Sequence, residues 1–139
     1  MAAEKRAPET ILLVDDEQVV LSLVEDILKD EGYTVLPALS GAEGIEAGRR
    51  HAGKIDLLLT DIVMPGMSGG KLFQQLQLMQ PGIRVLYMSG YTKYTVVGHG
   101  ALESVDSFIW KPFSPAQLLQ KVREVLDAPD DSGRTDPET

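Results

Sequence analysis

Five polar or charged residues whose types could support catalysis or metal binding lie directly after short apolar runs. The set comprises Asp15, Asp16, Asp61, Ser89 and Lys111. Short apolar runs of this kind are typical of parallel strands that are covered on both faces. Because the carboxyl ends of parallel strands meet at one edge of a sheet, we expect these side chains to share one site.

The three acids of this set would repel one another. Two unit negative charges about 5 Å apart repel by roughly 3 kcal/mol at an effective dielectric constant of about 20, so three clustered carboxylates need a cation. Mg²⁺ suits them, because it prefers a few carboxylate oxygens and leaves positions for water and phosphate oxygens. The set indicates phosphoryl transfer with Asp61 as the nucleophile. Lys111 and Mg²⁺ would neutralise the phosphoryl oxygens, and the Ser89 hydroxyl would donate a hydrogen bond to one of them.

Apolar runs predict five strands, with helical periodicity between them. The predicted strands are residues 11–14, 33–36, 55–60, 83–88 and 105–110. The apolar positions of the first helix are Val20, Leu23, Val24, Ile27 and Leu28. The alternating order predicts an α/β fold, in which a five-stranded parallel sheet carries five helices on its two faces.

Two of the predicted helices differ in the strength of their signals. The fourth, residues 92–102, contains threonines, valines and glycines, which form helices poorly. The fifth begins at Ser114, which can cap it, with Pro115 in the first helical position and Gln117 completing a capping box. We therefore expect a weak fourth helix and a well-defined fifth.

Length and composition favour one domain. The chain has 139 residues, of which 43% are hydrophobic, enough for a single core. Composition predicts a flexible segment at residues 1–9, a folded domain at 10–127 and a disordered tail at 128–139. The net charge of −8, without a stripe of Lys or Arg, argues against direct nucleic-acid binding. The absence of cysteine excludes disulfides and thiolate zinc sites, and the absence of a long apolar run predicts a cytoplasmic protein without membrane spans.

Four short motifs are similar to those of a known family. They are LVDDE at residues 13–17, DIVMPGMSG at 61–69, MSGY at 88–91 and KPF at 111–113. Each is weak alone, but together and in this order they resemble the receiver domain of response regulators, the CheY-like family of two-component signalling. The resemblance covers about residues 10–127 and implies a flavodoxin-like receiver fold with strand order 2-1-3-4-5.

The resemblance also implies roles at the site. Asp61 would be the phosphoacceptor, with Lys111 and Ser89 stabilising the phosphoryl group. The implied Mg²⁺ ligands are Asp16, Asp61, the backbone carbonyl of Val63 and, through a bound water, Asp15. A cis peptide bond before Pro112 is implied as well.

In this family a hydroxyl residue and an aromatic residue couple phosphorylation to a surface, and here these are Ser89 and Phe108. Phe108 can turn inward like the commoner tyrosine, but it has no hydroxyl to bond at the surface. The residues that often place the hydrolytic water are here Val63 and Tyr91. Val63 cannot hydrogen-bond a water and Tyr91 can cover its approach, so we expect slow self-dephosphorylation.

The implied function is that of a phosphoacceptor in a phosphorelay, not of an enzyme with an external substrate. A histidine kinase or a histidine phosphotransfer domain would donate the phosphoryl group, and the protein would assist its own phosphorylation and dephosphorylation. The partner that reads the phosphorylated state, or a second copy in a homodimer, is expected on the surface of the fourth helix, fifth strand and fifth helix.

The sequence allows two interpretations of how this domain occurs in the protein. The residues after 127 are too few and too polar for an output domain. The chain is therefore expected to be either a stand-alone receiver or a piece of a larger protein. The MSGY motif resembles receivers of hybrid sensor kinases more than those with DNA-binding outputs.

Other functions fit parts of the pattern. A receiver could serve only as a docking module whose phosphorylation chemistry is unused. A small phosphohydrolase with an aspartyl nucleophile after the first strand would need partner residues that do not follow Asp15. A nucleotide-binding sheet would need glycines in the first turn, which instead reads Asp-Asp-Glu-Gln. Acids at strand ends are also often only solvated loop residues, and the presence of Lys111 and Ser89 in register argues against that.

Overall fold

The computed structural model describes residues 9–90 and 107–128. Its strands are β1 (Thr10–Val14), β2 (Thr34–Ala38), β3 (Leu57–Asp61), β4 (Arg84–Ser89) and β5 (Phe108–Trp110). All neighbouring strands run parallel, in the order β2-β1-β3-β4-β5. The predicted fold class and strand order are confirmed.

The helices within the described ranges are α1 (Gln18–Asp30), α2 (Gly41–Arg50), α3 (Gly69–Met79) and α4 (Pro115–Asp127). The fourth helix predicted from the sequence, residues 92–102, lies outside the described residues, so α4 corresponds to the predicted fifth helix. None of these four helices has the length and hydropathy that a membrane span requires.

The central strands β1 and β3 are covered on both faces. Successive β1 residues alternate between two hydrophobic clusters, as strand geometry requires. Ile11 and Leu13 belong to the cluster that includes residues of α1 and α4. Leu12 and Val14 belong to the cluster that includes residues of α2 and α3. The acids at the carboxyl ends of β1 and β3 are therefore attached to the most buried part of the domain.

Three strands, β2, β3 and β4, end later than the apolar runs predict, and the changes in β3 and β4 concern the site. β3 includes Asp61, which lies opposite Met88 in β4. β4 includes Ser89, which lies opposite Trp110 in β5. A polar side chain ends an apolar run, but it does not end the backbone pairing, so Asp61 and Ser89 belong to the sheet itself.

The buried face of α1 differs from the set of apolar positions in the sequence pattern. Leu21, Val24 and Leu28 are buried and follow a spacing of three and four residues. Leu23, which the pattern included, is 59% exposed, and Val19 is 79% exposed. These two residues lie four apart, so α1 presents a second apolar face to solvent.

The helix starts follow local capping rules. Ser114 accepts a hydrogen bond from the Gln117 backbone N–H at 3.1 Å, and the Gln117 side chain accepts one from the Ser114 N–H at 2.8 Å, which confirms the predicted capping box. Ser68 caps α3 by accepting from the Lys71 N–H. The start of α3 lies close to β3, so this cap also helps to define the loop after Asp61.

Candidate functional site

The structure brings three acids together at the carboxyl ends of β1 and β3. Asp15, Asp16 and Asp61 each offer a carboxylate oxygen, and these oxygens all lie within 4.8 Å of one another. Asp15 is fully buried, Asp61 is half-buried and Asp16 is exposed. The cluster therefore opens to solvent on the side of Asp16.

Two hydrogen bonds satisfy polar groups of the buried residue Asp15. Its backbone N–H donates to the Ala38 carbonyl of β2 at 3.1 Å. Its carboxylate Oδ1 accepts from the Glu17 N–H at 2.9 Å in the turn before α1. One oxygen of the Asp15 carboxylate is thus used to build the turn, while the other faces the site.

Lys111, the residue after the edge strand β5, bonds to two of the acids. Its Nζ donates to Asp15 Oδ2 at 3.1 Å and to Asp61 Oδ2 at 3.3 Å, and its side chain is 19% exposed. Its backbone N–H donates to the Ser89 carbonyl at 2.8 Å. The Lys111–Pro112 peptide bond is cis, as expected.

The electrostatics of the cluster follow from burial and from this ion pairing. Burial raises the pKa of the Asp61 carboxyl, the Lys111 ammonium opposes this effect, and Asp15 adds to it, with a raised pKa as the net result. Burial alone would lower the pKa of Lys111, but attraction to Asp61 and Asp15 outweighs it and raises that pKa. Lys111 is therefore held as a cation, and Asp61 is more basic than a free aspartate.

Ser89 and Phe108 lie on the two strands that border Lys111. Ser89 is buried at the end of β4. Phe108 packs against the cluster of Ile62 and Tyr87, and its ring meets that of Trp110 edge-on, with centroids 4.6 Å apart. Tyr91, the second residue expected to affect the hydrolytic water, lies outside the described residues.

Val63 lies in the loop after β3, two residues beyond Asp61. It is partly buried against the cluster of Ile62 and Tyr87. Its backbone N–H hydrogen-bonds to Asp61, which lowers the pKa of that carboxyl and opposes the larger effect of burial. The apolar Val63 side chain offers no hydrogen bond to a water.

The donor set suits a small hard cation. Three carboxylates and one ammonium leave two uncompensated negative charges, since three minus one is two. All three acidic donors offer oxygen, which favours Mg²⁺ over zinc, because zinc in structural sites prefers sulfur and imidazole. The residues present therefore fit the expected metal.

Comparison with known proteins agrees with this geometry. A family model described as the response regulator receiver domain matches residues 11–123. This chain belongs to the response regulator receiver family. A chain in the crystal structure of the CheX-CheY-BeF3-Mg²⁺ complex from Borrelia burgdorferi is similar, with 28% identity and a TM-score of 0.76 over 87% of this chain and 91% of that chain.

Longer proteins contain similar receivers. The sensor kinase CckA of Brucella abortus (strain 2308) is 34% identical over 129 residues, which are 93% of this chain and 14% of that protein. The transcriptional regulatory protein GlrR of Escherichia coli (strain K12) is 35% identical over 120 residues, or 86% of this chain and 27% of that protein. The receiver thus spans a small part of these relatives.

Two residues of this receiver that the sequence pattern did not place at the site contact the backbone of Asp61 and Ile62. Thr60 donates its hydroxyl to the Asp61 carbonyl at 2.9 Å. Gly69 donates its backbone N–H to the Ile62 carbonyl at 2.8 Å. The available signals were a polar residue inside an apolar strand and a glycine at a helix start, and neither reveals a contact across a loop.

The raised pKa of Asp61 predicts the effect of removing its charge. Folding makes Asp61 harder to ionise, so its charge costs stability above its folded-state pKa, and this cost disappears as the pH falls below the unfolded-state pKa. Asp61→Asn should therefore raise the melting temperature of the metal-free receiver at neutral pH by about 2–5 °C.

The control is Asp26→Asn on α1, which replaces an exposed acid and should leave the melting temperature unchanged. Thermal denaturation followed by circular dichroism measures both. An Asp61→Asn variant that melts below the parent at neutral pH would show that the Lys111 ion pair outweighs the cost of burial.

Proposed function

We propose that this receiver accepts a phosphoryl group on Asp61 from the phosphohistidine of a histidine kinase or a histidine phosphotransfer domain. The observation that carries the proposal is the shared ammonium of Lys111, which bonds to Asp15 and Asp61 within a cluster of three carboxylates. Acids that were only solvated loop residues would not be expected to share one largely buried ammonium group or to lie this close together.

In the proposed transfer, an Asp61 carboxylate oxygen forms a bond to phosphorus as the bond from phosphorus to the donor imidazole nitrogen breaks. The raised pKa of Asp61 makes its carboxylate a stronger nucleophile than a free aspartate. The Lys111 ammonium and the Ser89 hydroxyl stabilise the phosphoryl oxygens, because charge neutralisation and positioning dominate this type of reaction.

The proposed ligands of Mg²⁺ are Asp16, Asp61 and the Val63 backbone carbonyl, with Asp15 acting through a water. Asp16 is exposed and Asp15 uses one oxygen in the turn before α1, which agrees with a direct role for Asp16 and an indirect role for Asp15. When bound, the metal supplies positive charge to the transferring phosphoryl group.

The exposed apolar face of α1 is the proposed docking site of the phosphodonor domain. The donor imidazole must come into bonding distance of Asp61, so its domain must cover the rim beside Asp16. α1 begins two residues after Asp16 and exposes Val19 and Leu23 there. Exposed apolar side chains of this kind contribute most when a partner excludes water from them.

Residues 10–127 are the proposed unit of function, in the cytoplasm and as a protein-binding rather than a nucleic-acid-binding module. Ser89 and Phe108 are the proposed link between phosphorylation and the surface that includes β5 and α4. Phe108 lacks a hydroxyl, so its movement would be driven by packing against Tyr87 and Trp110. The activity of any longer protein that contains this receiver would follow from that link.

The acceptor assignment predicts one phosphoryl group per chain. With Mg²⁺ and acetyl phosphate the parent should gain one group by intact-mass measurement. Asp61→Asn should gain none, because Asp15, the other acid bonded to Lys111, is fully buried and uses its second oxygen in the turn before α1. Asp56→Asn, which alters the acid that bonds the Thr10 backbone, serves as the control and should be labelled like the parent. A parent that is not labelled would favour the docking-only alternative.

The docking assignment predicts that the two donor types respond differently to substitutions on α1. Val19→Ser with Leu23→Ser should slow transfer from a phosphorylated histidine phosphotransfer domain that labels the parent, by roughly tenfold or more. Labelling by acetyl phosphate should not change, since this small donor needs no docking surface.

The control for this experiment is Leu78→Ser on α3. Leu78 is 79% exposed, as much as Val19 and more than Leu23, and it lies on another helix. It should leave both rates unchanged. Equal slowing by the α1 and α3 variants would show that the docking face has been misplaced.

The lifetime of the phosphorylated state is predicted to be long. Val63 offers no hydrogen bond to a water, and Tyr91 is expected to cover its approach. The decay of phosphorylated parent should therefore be slower than that of the Val63→Asn, Tyr91→Glu double variant, as measured by loss of the added mass over time. Equal decay rates would contradict control of the lifetime by these two side chains.

A further inference from the structure

The backbone carbonyl of Asp61 has an unusual environment for the last residue of a strand. The hydroxyl of Thr60, the preceding residue, donates a hydrogen bond to it at 2.9 Å. Thr60 is fully buried, one of the few buried polar residues among those described. A buried hydroxyl is costly unless it is bonded, so this bond gives the side chain a defined direction.

Gly69 also lies close to the Asp61 carbonyl. It is the first residue of α3 and is buried. A Cβ atom at this position would overlap the carbonyl oxygen of Asp61, a backbone atom that cannot rotate away, and would crowd the Thr60 methyl at 3.1 Å. Only a glycine lets α3 begin at this distance from the acceptor.

These contacts enclose the loop that carries the acceptor chemistry. The Ile62 N–H donates to the Met88 carbonyl at 3.1 Å, and the Ile62 carbonyl accepts from the Gly69 N–H at 2.8 Å. The next residue, Val63, bonds its N–H to Asp61. The peptide between Asp61 and Ile62 is therefore held at its carbonyl by Thr60 and at its N–H by Met88, directly before the residue whose N–H bonds to Asp61.

We propose that Thr60 and Gly69 are positioning residues of the acceptor: together they hold the Asp61–Ile62 peptide so that the Asp61 carboxylate stays within reach of the Val63 N–H and beside Asp15 and Asp16. The chemical consequence rests on the proposed phosphoacceptor function, whereas the structural consequence does not. Thr60 acts through its hydroxyl, and Gly69 acts through the absence of a side chain.

Substitutions at Thr60 separate the hydroxyl from the methyl group. Thr60→Val keeps the shape of the side chain and removes the hydroxyl, and Thr60→Ser does the reverse. If Thr60 served only to pack, Ser would be the harmful change and Val the harmless one. The proposal predicts the opposite order, with Val harmful and Ser close to the parent.

The matched control is Thr10→Val, the same chemical change in β1, at the end of the sheet away from the site. Phosphorylation of Thr60→Val by acetyl phosphate should be roughly tenfold or more slower, because small displacements of a reacting group cost rate steeply. Thr60→Ser and Thr10→Val should react within about twofold of the parent, a difference small against the steep cost of displacement.

Two readouts do not depend on phosphorylation. Hydrogen exchange of the Val63 and Gly69 amides in the metal-free protein should be faster in Thr60→Val and unchanged in Thr60→Ser. A titration with Mg²⁺ alone should show weaker binding by Thr60→Val, because the Asp61 carboxylate is no longer held beside Asp15 and Asp16.

Gly69→Ala tests the second residue, with Gly48→Ala in α2 as its control. A Cβ at Gly48 would be equally crowded, but by the flexible end of the Leu76 side chain. Both variants should melt at a lower temperature than the parent. Only Gly69→Ala should slow labelling and speed exchange of the Val63 amide.

The outcomes distinguish this inference from the proposed function. A parent that acetyl phosphate does not label would refute the function, and amide exchange and the Mg²⁺ titration would still decide whether Thr60 and Gly69 hold the loop. A labelled parent with Thr60→Val as fast as Thr60→Ser, and with the same amide exchange, would overturn the inference and leave the function in place.

Discussion

The site depends on the repulsion among three carboxylates that the sheet brings to one edge. Asp15, Asp16 and Asp61 offer oxygens within 4.8 Å of one another, and Asp15 is fully buried. Like charges at this distance are unfavourable by themselves, and Lys111 compensates only part of the charge. The remaining negative charge is what makes the site suitable for a divalent cation and for the phosphoryl oxygens that such a cation attracts.

A cluster of this kind requires a rigid support, since the acids would separate if the backbone allowed it. β1 and β3 lie at the centre of the sheet, between two hydrophobic clusters that cover opposite faces. Backbone hydrogen bonds then carry the order beyond the strand ends, from Asp15 to Ala38 of β2 and from Lys111 to Ser89 of β4. The favourable burial of the strands thus offsets the electrostatic cost of the site at their ends.

The two sides of the domain near the site have different characters. The loop after Asp61 is enclosed by Thr60 and Gly69, which limits the positions that its backbone can adopt. The rim at α1 exposes Asp16, and beyond it Val19 and Leu23. An enclosed loop after Asp61 beside an open, partly apolar rim agrees with the proposed transfer from a phosphodonor domain to Asp61.

The order of strands and helices, the positions of the acids at strand carboxyl ends and the capping box at Ser114 could all be predicted from sequence. Each depends on residues that are near one another in the chain, or on the motifs that resemble the receiver family. Other features depend on contacts between distant residues. Lys111 bonds to an acid 96 residues away and to another 50 residues away, and the spacing of apolar residues cannot say which carboxylates it reaches. The exposure of Leu23 and the contacts of Thr60 and Gly69 were decided in the same way, by which helix packs on which strand. Local patterns specify the elements, whereas burial and close approach are properties of pairs of elements, and these exist only once the chain has folded.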